Sequence, residues 1–364
     1  MKASVSAGVG KGFEVHDITI AQPMGKEVLI DVRASGLCHS DLHLVETEFG
    51  IPMPAVFGHE AAGVVTAVGP DVTTMEQGDH VVACLVHFCG LCLECLSGRT
   101  YACLNPDTVL RPSGIEPRLS CDGEPLTQAY GIGGFAEQML VHENQLAVVN
   151  KQIPFAQASI LGCGTVTGAG AAIHSAGVRV GDTVAVIGTG GVGLNVISGA
   201  RLAGALRIIA IDIEDSKLAV AERFGATDTI NSRNVDAVDA VRDLTGRGVH
   251  HAFEVVGSQT TQQQAVAMVR PDGGAYFVGL AQPGTAIELP TSLEMLRAHS
   301  AVVGVHMGST NLKRDIPMYA DLYIQGRLNL DDLISQEINL SEINHAYEQL
   351  KRGEVIRSVI TKFD

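Results

Sequence analysis

GDTVAVIGTGGVGLNVISGARLAGALRIIAIDIEDSK, residues 181–217, reads as strand, tight turn, helix and second strand. The apolar run Thr183–Ile187 is a strand that feeds directly into Gly188, Gly190 and Gly193, spaced G-x-G-x-x-G. The first glycine permits the tight turn, the second lets the backbone approach a pyrophosphate, and the third lets helix and strand pack closely. Gly191 and Val192 lie between them at the helix start, where the partial positive charge of the helix favours an anion. The second strand, Arg207–Ile211, ends at Asp212, about twenty residues further on, as the dinucleotide fingerprint requires. A carboxylate there accepts hydrogen bonds from ribose hydroxyls and repels a 2′-phosphate, so NAD is favoured over NADP. The plainer alternative is an ordinary βαβ turn with an acidic strand end. Further units follow: HHAFEVVG (250–257), a helix around Thr261–Val269, a break at Asp272-Gly273-Gly274, and GGAYFVGL (273–280). Alternating β and α segments predict an α/β fold with a doubly wound parallel sheet.

Upstream the texture changes. Residues 1 to about 90 mix β-branched residues with Gly- and Pro-bounded turns, as short strands do. Within them GLCHSDLHLVETEFGIPMPAVFGHE, residues 36–60, gathers Cys38, His39, Ser40, Asp41, His43, His59 and Glu60. Thiolate and imidazole are ligand types that zinc prefers, and a catalytic zinc keeps three protein ligands and one open position. Cys38 and His59 supply two, and Cys163 in LGCGTVTGAG (161–170) is the best candidate for the third. CGLCLECLSGRTYAC (89–103) holds Cys89, Cys92, Cys95 and Cys103, spaced C-x2-C-x2-C-x7-C. Such turns let thiolates converge on one tetrahedral ion, and four thiolates leave no open position, so this zinc is structural. The rivals are an iron–sulfur cluster and disulfides. Leu104–Tyr130, with Pro106, Pro112, Pro117 and Pro125, reads as a long loop of the kind that serves as a lid or interface arm. Cys121 within it reads as a surface thiol, and Cys84 as a small core residue. LSEINHAYEQLKRGEVIRSVITKF (340–363) gives an amphipathic helix, Gly353 and a strand that return to the first lobe.

The chain has 364 residues, more than one hydrophobic core usually serves, so two domains are expected. Hydrophobic residues make up 46% and charged residues 18%, a composition that excludes a disordered chain. A net charge of −15 repels phosphate backbones and argues against nucleic acid as a partner. The N-terminal stretch shows no apolar core behind a basic end, so no signal peptide is expected and the cytoplasm is the expected location. Gln152–Val178 and Thr183–Ala200 are uncharged and long enough to span a bilayer, but Gly, Thr, Ser and Asn interrupt them; buried α/β segments are expected, and no membrane partner. Without export, the eight cysteines point to metal binding rather than to disulfides.

GLCHSD, GHE, the four-cysteine lobe, GCGTVTGAG, GTGGVG, Asp212 and IRSVI, in that order, resemble the zinc-dependent medium-chain alcohol dehydrogenases essentially from end to end. The resemblance implies a discontinuous β-rich GroES-like catalytic domain, residues 1–164 and 305–364, with the structural-zinc lobe at 89–103. A Rossmann domain, 165–304, is inserted between. It implies two zinc ions per chain and NAD, with the active site in the cleft between the domains. Cys38, His59 and Cys163 match the catalytic zinc ligands, and Glu60 matches the acid behind the metal. Asp41 would fix the His59 tautomer, and Ser40 and His43 match a proton relay. His39 and Arg357 match contacts to the cofactor pyrophosphate, and Lys217 a basic residue near the adenosine ribose, although Lys217 on a solvated helix face is the alternative. By rough alignment Phe49, Leu85, Tyr130, Leu280 and His306 line the substrate pocket.

The function expected is interconversion of primary aliphatic or aromatic alcohols and aldehydes, with hydride leaving a zinc-bound alkoxide for NAD. The alternatives are a glutathione-type formaldehyde dehydrogenase, which Phe49 disfavours and Arg111, Arg118, Glu46 and Glu48 keep open, and a nicotinoprotein that holds its NAD. A non-enzyme member of the fold with structural zinc only is a further alternative. Homodimers or homotetramers are expected.

Overall fold

The computed structural model describes residues 1–112 and 114–363. The chain divides into two compact units, Met1–Gly164 with Asn311–Asp364, and Thr165–Thr310.

In the second unit the strands Thr183–Ile187, Arg207–Asp212, Asp228–Asn231, Val249–Glu254, Val269–Phe277 and Ala301–Gly304 form one parallel sheet. Its spatial order is 228–231, 207–212, 183–187, 249–254, 269–277, 301–304. The Thr183–Ile187 strand therefore sits where the order reverses, and the loop at its carboxyl end opens into the crevice that such sheets offer to ligands. Val184, Ala185 and Val186 are fully buried, as are Ile209, Ala210 and Ile211 on the neighbouring strand. Each buried valine or isoleucine among them contributes roughly 1.5–3 kcal/mol. Two boundaries differ from the sequence reading. The break expected at 272–274 lies inside a continuous strand: Val249–Glu254 pairs on both sides of it, so Asp272 is taken up as a left-handed residue at a shift of register (φ 64°). Residues 305–310, expected in the catalytic domain, belong to this unit, because Ser309 bonds Ser175 at 2.8 Å and Met307 Sδ accepts from Thr167 Oγ1 at 3.4 Å.

In the first unit the long strand Glu27–Gly36 organises the sheet next to the metal-binding residues. One edge pairs with Glu60–Val68 along its whole length. The other edge is shared, with Gln138–His142 along Glu27–Asp31 and the C-terminal Ser358–Lys362 at Ser35–Gly36. Gly36 is thus paired with Glu60 on one side and Val359 on the other. This register sets Leu37-Cys38, His59-Glu60 and Arg357-Ser358 side by side, although they lie far apart in sequence.

A second sheet corrects the reading of 104–130 as a loop. Leu119–Cys121 and Glu124–Gln128 form a hairpin that joins Ala55–Val56. Leu119 and Leu126 are buried in the core beneath it. Pro125 and the short strands hide this alternation in the sequence. Cys84 is fully buried and Cys121 half-buried.

Candidate metal centres and the glycine turn

Cys38 precedes the helix His39–Glu46, and the helix places Ser40 and His43 one turn apart on one side. Both are half-buried and His39 is exposed. Cys38 Sγ lies 3.5 Å from Ser40 Oγ. Asp41 points inward from the same helix, where its Oδ1 meets His59 Nδ1 at 3.0 Å and accepts from the Gly58 N–H at 3.2 Å. Asp41, His59 and Glu60 are fully buried. Cys163, also buried, comes from the segment after the short turn Ile160–Gly162. The ligand atoms of Cys38, His59, Glu60 and Cys163 all lie within 4.8 Å of one another.

This donor set fits a metal ion. His59 Nε2 and Glu60 Oε2 are buried without a hydrogen-bond partner, a costly arrangement unless a cation or water completes it. Burial alone would depress His59, yet Asp41 outweighs it and holds the imidazole well above its ordinary range. Hydrogen bonding between the two thiols sets Cys38 well below its ordinary range and Cys163 well above. Two adjacent buried thiols cannot both ionise without a cation between them. Burial raises Glu60 to about 7, against the pull of Arg357. Glu60 Oε1 accepts from Arg357 Nη2 at 3.0 Å and from the Gly164 N–H at 3.2 Å. A Cβ on Gly36 would come within 2.5 Å of Glu60 Oε2, so a side chain there would force the carboxylate to move.

Arg357, expected at a pyrophosphate, is turned inward. It is 4% exposed, and its guanidinium serves Glu60 and, at 3.3 Å, the Leu37 carbonyl. The register of the C-terminal strand, not visible in the sequence, is the reason.

In the four-cysteine lobe the Cys92 and Cys95 sulfurs are 3.4 Å apart, and the Cys89–Cys95 and Cys92–Cys103 pairs 3.9 Å. These separations exceed a disulfide bond of about 2.05 Å, and all eight cysteines are free. Backbone N–H groups of Leu91 and Cys92 point at Cys89 Sγ, and those of Cys89 and Asn105 at Cys103 Sγ, between 3.2 and 3.4 Å. Such donors favour thiolate: backbone N–H bonds bring Cys92 down to about 6. Burial lifts Cys95 to about 12. The four sulfurs all lie within 4.8 Å of one another, close enough to hold one ion.

In the second unit Gly188 adopts φ +93°, which permits the turn. Gly193 packs on the Gly188 carbonyl so closely that no Cβ fits. Gly190 differs, because a Cβ there would meet no protein atom within 4 Å. Its bareness leaves room for something outside the chain. The helix Gly191–Ala203 begins there, with the N–H groups of its first turn unpaired within the helix. Asp212 Oδ2 accepts from Thr189 N and Thr189 Oγ1, both at 2.9 Å, and Oδ1 from Ile213 N at 2.8 Å. Thr189, passed over in the sequence reading, fixes this carboxylate; the clue was a polar side chain inside a glycine turn. Lys217 is half-buried in the first turn of Asp215–Phe224.

The expected pocket residues divide. Phe49 and Tyr130 pack on one core cluster and Leu85 on another, while Leu280 and His306 lie in the second unit. The Tyr130 ring meets His59 edge-on at 5.2 Å, and its left-handed backbone is held by bonds to its carbonyl from His87 Nε2 (2.8 Å) and Gln145 Nε2 (2.9 Å). Arg111 and Arg118, which with Glu46 and Glu48 keep the glutathione-type reading open in the sequence, both bind Glu27 and are about as buried as it is. Glu46 pairs with Lys351, and Glu48 accepts from the Gly50 N–H. No helix among the described residues is long and apolar enough to cross a membrane.

Residues 24–153 match the alcohol dehydrogenase GroES-like domain family, and residues 191–324 the zinc-binding dehydrogenase family. The chain is 36% identical to an S-(hydroxymethyl)glutathione dehydrogenase of Escherichia coli over 99% of both chains. It is similar to the crystal structure of an alcohol dehydrogenase zinc-binding domain protein from Burkholderia ambifaria, with TM-score 0.95 and 36% identity over 100% of this chain and 99% of that one. It is also similar to benzyl alcohol dehydrogenase from Acinetobacter calcoaceticus, with TM-score 0.93 and 34% identity over the same shares.

Proposed function

This chain belongs to the zinc-dependent medium-chain alcohol dehydrogenases, and we propose that it oxidises a hydroxymethyl group with NAD as hydride acceptor, taking a primary alcohol to the aldehyde or an S-hydroxymethyl thiol adduct to the S-formyl thioester. The observation that carries this is the buried trio Cys38, His59 and Cys163, with Glu60 behind it. Zinc held there would act as a Lewis acid and lower the pKa of an oxygen it binds. The chain's own residues do the rest. Asp41 keeps a proton on His59 Nδ1, which leaves Nε2 as the ligand atom. Ser40 takes the substrate hydroxyl proton and His43, one turn further along the helix, hands it towards solvent. Arg357 balances the charge of Glu60. Gly190 leaves space for the pyrophosphate, and Asp212 receives the ribose hydroxyls and disfavours a 2′-phosphate.

Two substrate classes follow. The S-hydroxymethyl adduct of a thiol such as glutathione is supported by the named activity of the curated relative. A free primary alcohol with an aromatic or aliphatic tail is supported by two things: the benzyl alcohol dehydrogenase neighbour, and Arg111 and Arg118, which Glu27 occupies and which are therefore not offered to the carboxylates of a peptide-like thiol. Reduction of NAD should be followed with S-(hydroxymethyl)glutathione, benzyl alcohol and hexanol. A kcat/KM highest for the adduct supports the first class, and one highest for benzyl alcohol the second. No turnover of any by the zinc-loaded chain contradicts the proposed activity.

A further inference from the structure

We propose that Glu254 is a positioning residue that braces the dinucleotide crevice; this rests on the dinucleotide reading of the glycine turn. Glu254 ends the strand next to Thr183–Ile187 and is fully buried. One of its oxygens gathers three donors: Val256 N at 2.8 Å, Gly257 N at 2.7 Å and Thr261 Oγ1 at 2.8 Å. Its main-chain carbonyl takes two more, Val278 N at 2.8 Å and Gly279 N at 3.0 Å. A single residue therefore ties together the turn after its own strand, the start of the helix Gln259–Met268, and the loop that follows Val269–Phe277.

The turn it holds forms a wall of the crevice. A Cβ on Gly188 would come within 2.7 Å of Val256 Cγ2, so the Val255–Ser258 turn lies directly against the first glycine of the cofactor motif. On its other side Gly257 is packed so tightly on the Leu280 carbonyl that no side chain fits. Without the carboxylate, two part-buried backbone N–H groups lose their acceptor and the Thr261 hydroxyl is left with Ser258 alone, so the turn must move to find another. Any such movement is felt at Gly188. The second Glu254 oxygen has no partner. The three donors need an acceptor in that position rather than a charge, and an amide oxygen can replace it.

The test is NADH binding to the zinc-loaded chain by fluorescence titration, with KM and kcat measured alongside, for wild type, Glu254→Ala, Glu254→Gln and Thr261→Val. Glu254→Ala is expected to weaken NADH binding roughly tenfold, the equivalent of about 1.4 kcal/mol. It should raise KM for NAD while zinc content and kcat at saturating NAD hold. Glu254→Gln should restore most of the loss, and Thr261→Val should fall between. Unchanged NADH binding in Glu254→Ala, or in Thr261→Val should the alanine variant fail to fold, overturns the brace. A wild-type chain that binds no nicotinamide dinucleotide overturns the dinucleotide reading, and the brace with it.

Discussion

Asp41 engages one ring nitrogen of His59 and leaves the other bare in a site walled off from water. An uncompensated imidazole nitrogen beside two buried thiols is unfavourable, and a divalent cation removes the problem for all three. His59→Ala is therefore expected to reduce the zinc content from two equivalents per chain to one, measured by elemental analysis, with the four-cysteine lobe keeping its ion. Asp41→Asn should keep both ions but weaken the His59 site by roughly 10–100-fold in chelator competition, the usual effect of removing a carboxylate that orients a ligand. Retention of two ions by His59→Ala would remove the assignment. At the other site, Asp212 is held by Thr189 and by the backbone after its own strand. Asp212→Gly is expected to shift the ratio of kcat/KM for NAD to that for NADP towards NADP. An unchanged ratio would show that the carboxylate does not meet the ribose. The ligand identities were legible because thiol and imidazole chemistry is written in the residue names. The partner of Arg357 was not, because it depends on which strand lies beside which.

At the scale of elements, the Glu27–Gly36 strand does two jobs. Its C-terminal end aligns the metal-site segments, and Glu27 at its N-terminal end anchors the hairpin segment through Arg111 and Arg118. Burial would raise Glu27, but hydrogen bonds from Arg111 and Arg118 outweigh it and bring the carboxyl below its ordinary value of 4.5. Stability from a carboxyl lowered on folding is complete above 4.5 and is lost as pH falls through the lower, folded value. Glu27→Gln is expected to cost about 3 kcal/mol at pH 7, because two buried guanidinium groups lose their counter-ion. Denaturant titrations should show this gap between variant and wild type narrowing as pH drops below 4.5. A gap independent of pH would mean the ion pair adds nothing. The hairpin of 119–128 was missed in the sequence because its strands are short and one contains Pro125, and because its stability comes from Glu27 and Ala55–Val56, distant in sequence.

At the scale of the whole molecule, the division of labour is clean. Every ligand atom of both metal groups belongs to the first compact unit, and the glycine turn, Asp212 and Glu254 belong to the second. Chelation of the metal held by Cys38, His59 and Cys163 is expected to abolish turnover and leave NADH binding measurable by fluorescence. If NADH binding disappears with the metal, the second unit does not shape its crevice by itself.

Local chemistry and periodicity were enough, in the sequence, for the strand–glycine turn–helix, the C-x2-C-x2-C-x7-C lobe and the pairing of Cys38 with His59, since each lies in a short segment whose residue types admit few uses. Tertiary structure alone decided that Arg357 turns to Glu60, that Arg111 and Arg118 are spent on Glu27, and that Glu254 holds three loop segments together. The two arginine outcomes depend on which segments distant in sequence are brought together, and the Glu254 outcome on how the turn after its strand folds against the loop after Val269–Phe277. A buried charge takes the counter-charge that register presents, and nothing local to its own segment specifies it.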